Sequence, residues 1–250
     1  MTSTIHSDKI MNSSGDQDSG LDLQTNDQVK IKTANTDRIT VTDSAASMGD
    51  SFKLRLGAGN DLNIYHDGSN SYIEETGTGD THIVSNTVRI RADQINLSNN
   101  ANSLDGLVMD SSGRIRMSKQ PSFSAGLSGG NVSSTDATFV FNSEFFDVGG
   151  GYNNSTGIFT APIAGKYLFQ TNLITHNTNA AAYLYWSYNY NGSYVAHAYG
   201  YQHTTDKHQL YNLSILQSMA ASDTMKVVNR AGAWYGGATQ HGRFEGYLLG

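Results

Sequence analysis

Between residues 141 and 169 the chain spaces large aromatic side chains at intervals that restrict what it can fold into. Phe141 is followed by Asp147, Tyr152, Phe159, Gly165, Tyr167 and Phe169. The closing stretch, Gly165-Lys166-Tyr167-Leu168-Phe169, predicts a tight turn running into a strand. Residues two apart on a strand share a face, so its alternate aromatics look into one core.

Residues 1–120 follow a different plan. Two apolar residues separated by one polar residue recur as Leu21/Leu23, Val29/Ile31, Ile39/Val41, Leu54/Leu56 and Leu62/Ile64. The series goes on through Val88/Ile90, Ile95/Leu97 and Ile115/Met117, with turn formers such as Asp67-Gly68-Ser69-Asn70 between. Period-two alternation with this punctuation predicts short strands, each apolar on one side, with Lys30, Lys32, Arg55, Arg89, Arg91 and Arg116 pointing outward. Two or three apolar residues per strand cannot give a single copy a core over this length. Three copies around a common axis would bury those faces and cover the strand edges. A disordered linker is the competing reading of this polar, Gly-rich segment, and the recurrent alternation argues against it.

Composition removes whole classes of function. No Cys is present, which excludes disulfides, thiolate metal sites and thiol catalysis. The net charge is −6 and no basic block occurs, so the electrostatic footprint of a nucleic-acid binder is missing. No run is long and apolar enough to span a membrane as a helix, and the first residues carry no apolar signal-peptide core. Synthesis in a cytoplasm is expected.

Catalytic constellations are missing as well. The sequence has no Gly-x-Ser-x-Gly elbow, no phosphate-cradling Gly-rich loop ending in Lys, and no His-Glu-x-x-His zinc pair. The eight histidines are scattered, and His203 and His208 are an odd number of residues apart, which suits no single strand face. Asp61, Asp67 and Asp80 lie in Gly-rich turns, where Asp commonly satisfies local backbone. No metal or other cofactor is expected.

The richer signal is aromatic. Half of the fourteen tyrosines fall between residues 183 and 201: Tyr183, Tyr185, Tyr188, Tyr190, Tyr194, Tyr199 and Tyr201, with Trp186 among them. Asn191-Gly192 predicts a two-residue hairpin turn. Leu184, Trp186, Tyr188 and Tyr190 alternate with Tyr183, Tyr185, Ser187 and Asn189, so both faces of the strand are partly aromatic. One face can fill a core, while the other needs a neighbouring copy or a ligand. Rigid rings beside Asn, Ser and Gly make adaptable binding surfaces. The candidate ligand-binding residues are therefore Tyr185, Tyr190, Tyr194, Tyr199, Tyr201, Trp234 and Tyr235. Trp234 and Tyr235 are expected in an exposed loop across residues 232–242.

The spacing from Phe141 to Phe169 resembles the complement C1q-like globular domain over roughly residues 121–250. Phe244-Glu245-Gly246-Tyr247-Leu248-Leu249 is similar to that family's closing strand. The resemblance implies a jelly-roll that assembles as a trimer. Its framework positions here are Phe141, Asp147, Tyr152, Phe159, Gly165, Tyr167, Phe169, Phe244, Gly246 and Tyr247. Two positions depart from the pattern: Thr171, where the family often has another aromatic, and Ser222, where a Gly usually precedes the Asp. Some relatives bind calcium, but no dense acidic cluster here supports a calcium site. Residues 54–73, with their continuation to Ile83, resemble a module of tail-fibre proteins of tailed bacteriophages, marine ones especially. Met109-Asp110-Ser111-Ser112-Gly113 to Phe123 is similar to the junction at which such fibres enter a C-terminal head.

The expected molecule is all-β. A virion-attachment tip (1–20) leads into a trimeric β-rich shaft (21–120) and a jelly-roll head (121–250) of the C1q and tumour-necrosis-factor type. It is expected to act as a virion tail fibre. Its partners would be two copies of itself, a tail or adaptor protein at the N-terminus, and a host cell-surface glycan or protein receptor met by aromatic loop tips. Two alternatives stay open: a structural head-decorating or neck fibre, and a fibre-borne glycan depolymerase. The depolymerase would need paired carboxylates in a groove, and the head's acids are Asp136, Glu144, Asp147, Asp206, Asp223 and Glu245.

Overall fold

A computed structural model describes residues 7–11, 19–25, 27–98, 105–176, 182–202 and 208–250. Most of the expected attachment tip lies outside them. The regular elements among these residues are all strands. The chain divides into two compact units, Met1–Arg89 and Ile90–Gly250, so the second unit begins before residue 121, where the head is expected to start.

The first unit is two antiparallel meanders. β1 (Lys9–Met11), β2 (Gly20–Asp22), β3 (Val29–Thr33), β4 (Thr36–Val41) and β5 (Ala46–Met48) pair in sequence order. β6 (Leu54–Leu56), β7 (Leu62–His66) and β8 (Ser71–Glu75) form a second sheet. Among its described residues only Asp22 and Asn63 are buried, and no hydrophobic side chain is. Val29, Ile31, Val41, Met48, Leu54, Leu56 and Ile64 all remain exposed. The lysines of β3 do not point into open water as expected. Lys30 pairs with Asp37 at 3.1 Å, and Lys32 bridges Asp37 at 2.8 Å and Asp22 at 3.5 Å, so it is the apolar side of the strand that faces solvent. No strand forms at Val88/Ile90, and both side chains are exposed.

In the second unit, β9 (Ile95–Ser98), β10 (Asp105–Met109) and β11 (Ile115–Arg116) make a small sheet. Beyond it the chain builds a two-sheet sandwich. The first sheet orders β13 (Ser143–Val148), β12 (Ser122–Gly126), β21 (Gly242–Leu248), β16 (Gly165–Ile174) and β19 (Leu210–Met219). The second orders β14 (Tyr152–Asn153), β15 (Ile158–Thr160), β20 (Thr224–Ala231), β17 (Ala182–Tyr190) and β18 (Ser193–Gln202). These crossovers give the jelly-roll expected from the sequence.

Its core is aromatic. Phe123 stacks on Tyr152 at 4.7 Å and on Phe159 at 5.0 Å and meets Phe244 edge-on at 4.9 Å. Tyr167, Phe169, Trp186 and Tyr188, all inward on their strands, belong to the same buried cluster. The spacing from Phe141 to Tyr152 has a local cause. Asp147 accepts backbone N–H bonds from Gly151 (3.2 Å) and Tyr152 (2.9 Å), and the Tyr152 hydroxyl donates to the Phe141 carbonyl at 3.0 Å. Burial pushes the Tyr152 phenol well above its ordinary value. Gly246 is needed where it stands, since a Cβ there would lie 2.4 Å from Phe123 Cε1. Tyr247, between two inward residues, faces away from the core and is half-buried on the outer side of the first sheet.

Both departures from the family pattern are accommodated. Thr171 is buried and accepts the Tyr188 hydroxyl at 2.9 Å, so a polar pair occupies what an aromatic would fill. Ser222 adopts φ 73°, the left-handed region where glycine costs least.

Candidate functional site

The Asn191-Gly192 turn has positive φ at both residues (46° and 89°), as a two-residue hairpin of this twist requires. It pairs Tyr190 with Ser193 and Asn189 with Tyr194. A one-residue bulge follows, because Tyr188 pairs with Ala196 rather than with Val195. That shift decides the surface. With simple register Tyr199 and Tyr201 would point into the sandwich; the bulge turns both outward, opposite Tyr185 and Tyr183 respectively. The inward positions of β18 are then Ala196, Ala198, Gly200 and Gln202. At Gly200 a Cβ would stand 2.3 Å from the Tyr211 ring, which crosses from the other sheet.

The outcome is an outward ladder of rings on the β17–β18 hairpin. Tyr183 meets Tyr201 edge-on at 5.4 Å and Tyr199 at 5.9 Å, and Tyr185 meets Tyr199 at 6.0 Å and His197 at 5.4 Å. Tyr199 is 66% exposed and Tyr183 60%. His197 is held from below by Ser187, whose buried hydroxyl lies 2.7 Å from Nδ1. At the side of the ladder Arg230 lies with its guanidinium 4.2 Å from the Tyr194 ring centroid and 5.9 Å from that of Tyr185. Arg230 pairs with Asp136 and donates to the Tyr194 hydroxyl at 2.7 Å.

Of the seven ligand-binding candidates, Tyr185, Tyr194, Tyr199 and Tyr201 therefore share one surface. Tyr190 stands apart, at the turn. Its hydroxyl donates to Asp223 at 2.5 Å, which also takes bonds from Asn191 Nδ2 and the Ala220 N–H, each 2.7 Å. The Tyr190 hydroxyl, then those two donors, hold the Asp223 carboxyl below the usual carboxylate range. Trp234 corrects the sequence reading outright. Its indole is fully buried, Nε1 donates to Asn229 at 2.9 Å, and its backbone bridges Val132 and Thr175. A buried ring with its one donor satisfied is core, however Gly-rich its surroundings. Tyr235 is half-buried at the far end of the sandwich from the Asn191-Gly192 turn, among His176, His208 and His241. The expected loop tips are thus replaced by a sheet face. Among the described residues no group of three or more His, Asp or Glu could hold a metal ion.

The sequence reading missed Tyr183, His197, Arg230 and Asp136 as members of this surface. Tyr183 carried a usable signal, its alternation with Leu184. Arg230 and Asp136 carried none, being brought together from positions far apart in the chain.

Residues 122–248 thus form a two-sheet jelly-roll with an exposed aromatic face on its second sheet. The chain belongs to the C1q domain family, whose pattern matches residues 122–249, just over half of it. No curated protein matches it. Among solved structures it is similar to the globular domain of zebrafish complement 1qA, at 14% identity over 52% of this chain and 98% of that one (TM-score 0.40). Eiger TNF from S. frugiperda shares 16% identity over 52% and 91% (TM-score 0.41). Murine APRIL shares 13% over 52% and 100% (TM-score 0.42).

Proposed function

We propose that this chain is the subunit of a trimeric viral fibre, of tailed-phage type, whose C1q-type head contacts a receptor on the host surface. The observation that carries the reading is the first unit: its strands have no buried hydrophobic side chain in one copy, yet present a row of exposed ones. Such faces close when identical chains run side by side. The meander of β6–β8 falls within residues 54–75, which overlap the segment resembling tail-fibre modules. The tyrosine ladder offers the head a contact surface without a reaction centre. Several heads on one fibre, and several fibres on one particle, turn weak single contacts into firm adhesion.

The test is antibody labelling of purified particles, followed by adsorption in the presence of free protein. Projecting fibres should label, and excess protein should compete with the particles for host cells. Unlabelled particles would remove the virion role; labelled particles indifferent to competitor would leave a structural fibre.

A further inference from the structure

We propose that the ladder binds an uncharged, polyhydroxylated chain, a neutral polysaccharide laid along the β17–β18 hairpin; this rests on the reading of the head as the receptor contact. Three observations select that chemistry. Among the described residues no hydrogen bond engages the hydroxyls of Tyr183, Tyr185 or Tyr199. Each phenol both donates and accepts, which matches a ligand whose hydroxyls do the same. Second, the cation beside the ladder is committed. Arg230 is paired with Asp136 and stacked on Tyr194, so an acidic sugar placed there would meet a charge already neutralised and would be desolvated without compensation.

Third, the surface is the wrong size for a protein. The rows Tyr183/Tyr201, Tyr185/Tyr199 and Ser187/His197 span four residue steps, about 14 Å at the usual strand rise. The exposed parts of four tyrosines, each side chain offering roughly 150–250 Å² when wholly free, fall short of the ~800 Å² a standard protein partner covers. A few sugar units fit that length. The rings brace one another through edge-to-face contacts, so little side-chain freedom remains to be lost on binding.

Affinity electrophoresis of the full chain tests this in gels holding neutral polymers (dextran, glucomannan, galactan) or acidic ones (alginate, polygalacturonate). Retardation is expected in a neutral gel, should persist as NaCl is raised, and should weaken about tenfold or more in the Tyr183→Ala/Tyr199→Ala double variant. Both side chains are exposed, so the variant should keep its circular dichroism. Asp136→Asn frees Arg230 and should create retardation in the acidic gels, a gain that a merely structural Asp136 would not give. Retardation of the natural chain in acidic gels alone, relieved by salt, would overturn the ligand class and leave the receptor reading intact. No retardation in any gel, or neutral retardation that survives the double variant, would overturn the ladder as a saccharide site. The receptor reading would then stand or fall on the adsorption experiment.

Discussion

The two units of this chain are written in the same code and reach opposite states. β3 and β16 both alternate apolar and polar residues. In β16 the alternate positions Tyr167, Phe169, Thr171 and Leu173 are buried against a second sheet; in β3, Val29 and Ile31 face solvent while Lys30 and Lys32 are partly covered. Alternation specifies a strand with a greasy side, and does not say what covers it. The head covers its own because its inward residues are large and a second sheet folds over them. The first unit has three- to six-residue strands in two small meanders, and among its described residues no hydrophobic side chain of that face is buried.

A charge placed on the exposed face of the first unit is expected to have the largest effect. Ile64→Asp should abolish assembly, since copies meeting there would bury like carboxylates at roughly several kcal/mol each. The head should stay folded, and size-exclusion chromatography with circular dichroism reads both. Phe169→Ala is the converse test, emptying the head's core at a cost of about 3–5 kcal/mol in denaturant unfolding. It should leave association through the first unit in place. Gly246→Ala is smaller, roughly 1–3 kcal/mol, because the new methyl collides with Phe123 and Phe169.

The smallest expected effect is an acid one. Asp223 ties the turn at Asn191-Gly192 to the turn before β20, and its folded carboxyl titrates below the ordinary value. A depressed carboxylate contributes its stability fully above the unfolded value near 4, and loses it as pH falls through the folded one. Melting temperature should therefore decline below about pH 4 in the natural head and decline less in Asp223→Asn.

The head was legible because each framework position has a specific steric or hydrogen-bonding task that few residue types can meet. Asp147 caps the turn that carries Tyr152, and Gly246 clears space for Phe123, so fixed residue types recur at fixed distances. The binding surface was only half legible. Alternation in β17 separates Tyr183 and Tyr185 from Leu184 and Trp186, but the bulge that brings Tyr199 and Tyr201 to the same side leaves no mark in composition. Trp234 was misread for a related reason. Glycines around it signal a loop, whereas its burial is set by Asn229, Tyr211 and Phe139, which local sequence does not show.

Sedimentation equilibrium of the intact chain at micromolar concentration tests most directly whether the first unit depends on its own copies. A single species of three times 27.0 kDa is expected, with the Ile64→Asp chain falling to lower mass. A folded species of 27.0 kDa, with its first unit resistant to proteolysis, would contradict that dependence.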